Sequence, residues 1–249
     1  MTDAHCHVSG GDPAVRELLI GRDFVGVHPW AALEASRSGR SARQTIGDLR
    51  ERLAANPRLG VGEIGLDRLK EKTISSEMRE LFAAQLALAF EFRRPVVLHG
   101  AKCWGEVVKA VLGVCPQQKW GLSPAASRSK NGVCPQLDFA KSGVSLLFHG
   151  FSRSDGLIPD IVRLNGYISV GPAVLNDHAV NYRALVKKIP LDRLLIETDR
   201  DCSCEKMLSP LTKQPIMIRD VLEKTAELRG LSPAELEAVT DANATRFLM

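Results

Sequence analysis

Thr2-Asp3-Ala4-His5-Cys6-His7 is the stretch that decides the fold. On a β-strand, residues i and i+2 share a face, so His5 and His7 point one way and Cys6 the other. Two imidazoles so placed can hold one metal ion. The same pattern, a short apolar run meeting a metal-ligand side chain, recurs along the sequence. Glu63 stands in Val61-Gly62-Glu63-Ile64-Gly65, and His99 closes Pro95-Val96-Val97-Leu98. His149 closes Val144-Ser145-Leu146-Leu147-Phe148, and Asp199 closes Leu194-Leu195-Ile196-Glu197-Thr198. In a barrel of parallel strands the carboxyl ends build the active site, with residues from several strands. His5, His7, Glu63, His99, His149 and Asp199 are therefore expected on one rim. A mixed set of imidazoles and carboxylates suits Zn²⁺, Mn²⁺ or Co²⁺, and accepts Mg²⁺ when waters complete the shell.

Length and composition fit this reading. With 249 residues, 45% of them hydrophobic, the chain can bury a large core, and residues 1–249 are expected to form one α/β unit without a linker. There is no run of about 20 apolar residues to span a membrane and no signal-peptide pattern, so a cytoplasmic protein is expected. Six cysteines are then expected as reduced thiols. Cys202-Ser203-Cys204 lacks a second pair at zinc spacing. The net charge of +4 permits contact with a polyanion without requiring it.

Apolar runs alternate with amphipathic stretches, the pattern of a parallel sheet wrapped by helices. The expected strands are 2–7, 24–28, 60–66, 96–99, 144–149, 167–170 and 194–198. Helices are expected at 42–55, 77–92, 158–164 and 179–188, with two more at the end of the chain. Met78, Leu81, Phe82, Gln85, Leu86, Leu88, Ala89 and Phe92 repeat at helical spacing and mark a helix packed on the sheet. Ser232-Pro233-Ala234-Glu235 is a capping box that opens the last helix.

Two regions break the regular repeat. Only twenty-one positions separate His7 from His28, room for one short helix from Ala14 to about Ile20. The expectation is a distorted TIM-barrel-like (β/α) barrel of seven strands, one short of eight. Fifty positions separate His99 from His149, and the excess falls at about 115–143. Gly-Val-Cys-Pro-Gln occurs there twice, at 113–117 and 132–136, which suggests a duplicated or inserted loop near the site. Its Lys119, Trp120, Arg128 and Lys130 are read as a solvated loop, with gripping of a single strand by charge and stacking as the alternative.

Ordered along the whole chain, these motifs resemble the TatD family of metal-dependent deoxyribonucleases, a branch of the amidohydrolase-like barrels. The resemblance rests on Asp3-Ala4-His5-Cys6-His7, Gly26-Val27-His28-Pro29, Gly62-Glu63-Ile64-Gly65-Leu66-Asp67, Val97-Leu98-His99 and Phe148-His149-Gly150-Phe151-Ser152. It extends through the run from Ile189 to Asp199 and the closing Asn243-Ala244-Thr245-Arg246-Phe247. It implies a two-metal centre acting on DNA or another phosphodiester, with His5, His7 and Asp199 on the first ion and His99 and His149 on the second. Glu63 would bridge the two, and Asp199 would serve as general base. No membrane contact and no obligate protein partner are implied.

Some residues depart from the family pattern. Members commonly carry Arg two residues after the histidine of the fifth strand, where this chain has Ala101 followed by Lys102. Arg153 stands where Gly is usual, and Arg200, Asp201 and Cys202 replace a small residue, Pro and an aromatic. His28, Lys102 and Arg153 are the candidate substrate-binding residues, with strand capping the alternative for His28. Asp67 is expected to orient the Glu63 loop, Glu197 to support a histidine or the loop or to form a buried salt bridge, and His178 to lie on the surface. Two other readings stay open: a hydrolase of small esters, amides or lactones on the same metals, and a non-catalytic scaffold.

Overall fold

The computed structural model describes residues 1–31, 34, 41–69, 72–113, 138–201 and 215–249. Eight strands run through them: β1 (Thr2–Cys6), β2 (Arg16–Leu19), β3 (Phe24–Val25), β4 (Gly60–Asp67), β5 (Val96–Ala101), β6 (Leu146–Phe148), β7 (Gly166–Val170) and β8 (Leu194–Ile196). β1 pairs with β2, while β3 to β8 form a second sheet in sequence order, every pairing parallel. The bridge between Ile20 and Phe24 links the two sheets. Main-chain bonds from Asp199 N–H to the His5 carbonyl (3.0 Å) and from His7 N–H to the Arg200 carbonyl (2.7 Å) bring the end of β8 against β1. The fold is a distorted α/β barrel.

The helix expected from Ala14 to about Ile20 and the seven-strand count are both corrected. Residues 16–19 form strand β2, in register with β1 through Thr2 and Arg16, Asp3 and Glu17, and Cys6 and Leu19. What the short first crossover lacks is the helix. Arg16-Glu17-Leu18-Leu19 is too short for periodicity to separate helix from strand. The preceding loop is tied instead by Glu17, whose carboxylate accepts from Ser9 Oγ and Gly10 N–H, and by Asp12, which accepts from Ala14 N–H (2.9 Å). Leu18 and Leu19 are then buried by strand pairing.

Around the sheets pack α1 (Ala42–Ala55), α2 (Ser76–Phe92), α3 (Trp104–Leu112), α4 (Phe139–Ser142), α5 (Ile158–Arg163), α6 (Val180–Lys188), α7 (Ile218–Arg229) and α8 (Pro233–Phe247). α8 starts at the expected capping box, with Ser232 Oγ accepting from Glu235 N–H and the Glu235 carboxylate accepting from Ser232 N–H. α1 carries a second such box, from Ser41 and Gln44. The expected loop at 115–143 falls outside the described residues up to 137. Its last part forms α4, capped by Asp138, with Phe139 buried edge-on against Phe90. Lys119, Trp120, Arg128, Lys130 and the Cys202-Ser203-Cys204 run also lie outside the described residues. No helix among the described residues is long and apolar enough to cross a membrane.

Strand alternation divides the core in two. Val25, Val96, Leu98, Leu146, Phe148, Ile168, Leu194 and Ile196 pack in one cluster with the helices. Ala4, Leu18, Phe24, Val97, Leu147, Tyr167 and Leu195 form a second cluster with Phe247 of α8, whose ring stacks on Phe24 (centroids 6.0 Å apart) and meets Tyr167 edge-on (5.9 Å). Two residues along, on the same face as Val97, Leu147 and Leu195, come His99, His149 and Glu197, and two further on comes Asp199. One apolar layer thus supports one polar layer at the carboxyl-terminal rim.

Candidate metal centre

The polar layer gathers five of the six histidines. Among the described residues, three sets have donor atoms all within 4.8 Å of one another: His5, His7 and Asp199; His5, Glu63 and His149; His28, Glu63 and His99. Glu63 stands at the middle with its two oxygens facing different neighbours. Oε2 is 3.8 Å from His5 Nε2 and 3.5 Å from His7 Nε2. Oε1 is 2.5 Å from His99 Nδ1, 2.6 Å from His149 Nε2 and 3.9 Å from His28 Nε2. Asp199 Oδ1 lies 3.4 Å from His5 Nε2 and 3.7 Å from His7 Nε2. All six residues expected on one rim are therefore together.

The backbone explains the approach. Gly65 lets β4 touch β5, since a Cβ there would sit 2.0 Å from the His99 carbonyl oxygen, and its φ of 154° is one that side chains avoid. Asp199 itself has φ 50°, where the chain turns out of β8. Around these groups stands a ring of supports. Asp67 Oδ2 accepts from His99 Nε2 (2.8 Å) and Oδ1 from Leu69 N–H, so this residue holds a histidine as well as the loop. Glu197 Oε1 accepts from Gly150 N–H (2.7 Å) and lies 3.8 Å from His149 Nδ1, while Oε2 accepts from Ser169 Oγ. Of the three roles open to Glu197 in the sequence, loop support is the one made by a hydrogen bond.

Charge follows the same contacts. Burial works against ionisation of Glu63, but His149, His99 and His5 outweigh it and hold its pKa well below the usual range. Burial likewise opposes the charge on His149 and is outweighed by Glu63 and Glu197, which raise its pKa well above normal. His99 is raised more modestly, burial being overcome by Asp67 and Glu63. Burial and neighbouring imidazoles lower His7, and burial lowers His28 to about 4. Burial raises Asp199, but His5 and His149 bring it below the ordinary carboxylate value.

The donor set fits a divalent cation. His5 is fully buried, yet neither of its ring nitrogens has a hydrogen-bond partner, nor does His149 Nδ1. A buried polar atom left in that state is costly unless something else meets it. Here the surroundings are carboxylates and further imidazole nitrogens, which share an affinity for metal ions.

The remaining expected residues spread wider. His28 joins the cluster, its ring 4.6 Å from that of His99, while its Nδ1 accepts from Trp30 N–H. Lys102 is exposed just beyond β5, with φ 57°. Arg153 is exposed and lines a cleft of about 1500 Å³ that opens from Asp199 across the ends of β6, β7 and β8. His178 lies on the surface at the edge of that cleft.

Sequence reading missed three supports. Asp3 takes Thr198 N–H (2.9 Å) and Thr198 Oγ1 (2.6 Å), pinning β1 to the end of β8. Ser169, the one hydroxyl-bearing side chain within the apolar-looking Ile168–Val170 run, signalled its role by that placement. Gln85, read as part of an apolar stripe, exchanges two hydrogen bonds with the main chain of Val27 (2.7 and 3.1 Å) and so fixes the segment carrying His28.

Parallel barrel and rim together define an α/β barrel with a candidate metal centre at the carboxyl ends of its strands. A family profile described as TatD related DNase matches residues 21–249, and the chain belongs to that family. It is 26% identical over 235 residues to the uncharacterized metal-dependent hydrolase YabD of Bacillus subtilis, covering 93% of this chain and 80% of that protein. It is 29% identical over 230 residues to the 3'-5' ssDNA/RNA exonuclease TatD of Cronobacter sakazakii, covering 90% and 75%. The crystal structure of YjjV, a TatD homologue from Escherichia coli, shares the fold at 21% identity with TM-score 0.64, covering 95% and 78%.

Proposed function

We propose that residues 1–249 act as one hydrolase that cleaves phosphodiester bonds with water, as a deoxyribonuclease acting on single-stranded ends. The observation that carries this reading is Glu63, one oxygen turned to His5 and His7 and the other to His99 and His149. On this reading His5, His7 and Asp199 hold one divalent ion, His99 and His149 hold a second, and Glu63 serves both. Two such ions supply Lewis-acid stabilisation of charge on the phosphodiester oxygens and ease deprotonation of the attacking water. Asp199, half exposed and ionised, accepts that proton at a carboxylate oxygen. The water oxygen bonds to phosphorus, the bond to the leaving oxygen breaks, and that oxygen takes a proton from solvent. His28, Lys102 and Arg153 are the candidate contacts to substrate. The 3'-5' exonuclease name of the Cronobacter relative favours nucleic acid over other diesters.

The test starts from protein stripped of metal and then supplied with Mg²⁺, Mn²⁺ or Zn²⁺. Cleavage of single-stranded DNA or of a chromogenic phosphodiester should return, and His99→Ala should abolish it. If no ion restores cleavage and His99→Ala has no effect, the proposal is wrong. Ala101, lacking any fork to hold phosphate, favours a second reading as a hydrolase of small esters or lactones. A substrate panel with activity on uncharged esters and none on phosphodiesters would establish that instead.

A further inference from the structure

We infer that Arg153 grips a phosphate of the substrate next to the one cleaved, and that the strand runs from Asp199 over the ends of β6, β7 and β8. The inference rests on the phosphodiesterase reading and adds to it a direction and a grip.

Arg153 follows β6 in a loop that is firmly anchored. Phe151 is fully buried with its ring 5.4 Å from that of Trp104, and Glu197 accepts from Gly150 N–H. On this base Arg153 adopts φ 62°, a left-handed conformation that disfavours a side chain, while its own side chain remains exposed. A non-glycine residue kept at such an angle beside a reaction site points to a use for its side chain.

The charges in the cleft narrow that use. Lys188 is paired with Asp155, and Asp177 with Arg183 (2.6 Å). Glu197 is engaged by Gly150 and Ser169. Among the described lining residues, Arg153 is the cation with no ion-pair partner among described residues. A guanidinium presents a planar fork that matches phosphate oxygens in two bonds. Sites for single small molecules run to about 300–1,000 Å³. At about 1500 Å³ the cleft exceeds that range and has room for a chain that continues past the cleaved bond.

The experiment compares wild type, Arg153→Gly and Arg153→Lys on a single-stranded DNA oligomer and on bis(p-nitrophenyl) phosphate, which has no second phosphate. Glycine relaxes the left-handed φ, so Arg153→Gly should keep or raise Tm. Its loss of kcat/KM should be at least about tenfold larger on the oligomer than on the small diester, the size expected for a charged hydrogen bond. Oligomer binding with Ca²⁺ in place of the active ion should show a salt slope shallower by about 0.7, one phosphate contact on a single strand. Arg153→Lys should recover the slope, and only part of the kcat/KM.

Equal losses on the two substrates, or an unchanged salt slope, would overturn the role of Arg153 while leaving phosphodiester cleavage standing. A wild type that cleaves neither substrate would end the phosphodiesterase reading, and the salt slope would still decide whether Arg153 meets a phosphate. A wild type that does not bind the oligomer overturns the inference.

Discussion

Replacing Asp67 with Asn tests whether the support behind His99 governs the metal centre. Both carboxylate oxygens of Asp67 accept, one from His99 Nε2 at 2.8 Å and the other from Leu69 N–H. Asparagine keeps the shape but has one acceptor, so one of these donors must face an NH₂ group. Asp67 is 1% exposed, and water cannot repair the loss. A buried donor left unmet costs about 1–3 kcal/mol. At about 2–4 °C per kcal/mol for a chain of this size, Tm should fall by roughly 2–12 °C. The charge that orients His99 and strengthens its basicity also disappears, and removing such a partner costs about 10–100-fold in metal affinity or activity. Competition against a chromogenic chelator measures the affinity, and thermal unfolding followed by circular dichroism measures Tm. Folded Asp67→Asn protein that binds Zn²⁺ as tightly as wild type would show that the centre does not depend on this support.

Exhaustive chelation should lower Tm, and returning metal at 100 times its Kd should restore about 2.7 kcal/mol; a Tm indifferent to chelator and metal would count against the centre. Burial raises the Asp3 pKa from 3.8 to about 6, so the native state holds this proton more tightly than the unfolded chain. The resulting penalty is absent below pH 3.8, grows through that interval and is complete above about 6, reaching about 3 kcal/mol. Metal-free Asp3→Asn should therefore gain on wild type as pH rises from 4 to 7 in denaturant titrations; a constant difference would refute this. Phe247→Ala empties the plug under the barrel, and should cost about 3–5 kcal/mol in urea unfolding.

Much of the fold was legible because apolar runs and helical spacing report burial directly. Helix 42–55 has the boundaries expected, and the capping box at Ser232 opens the final helix. The failure at residues 14–20 has a local cause. Arg16 to Leu19 carries too few residues to show a period, and the pairing that decides its conformation comes from β1 rather than from its own sequence. The short gap left room for one short helix, and the structure puts a strand there instead. The gap did not exclude a parallel strand reached by a loop.

The site was legible in another way. Its principal residues are histidines and carboxylates, rare at the ends of apolar runs, so each one signals by its chemistry. Their supports give weaker signals, since a serine in a strand or a glutamine on a helix face is unremarkable until its partner is known. Asp3 shows the limit: the Thr198 it binds is 195 positions away, and only closure of the barrel brings the two together. That closure also gives Glu63 its two-sided position. His5 lies on β1 and His7 just past its end, across the junction between the two sheets from β4, whereas His99 and His149 follow along the same sheet as Glu63. A carboxylate on β4 meets both sets because the strands close around it. Disturbing the Asp3–Thr198 clasp should therefore weaken the His5, His7 and Asp199 side of the centre before it affects His99 and His149.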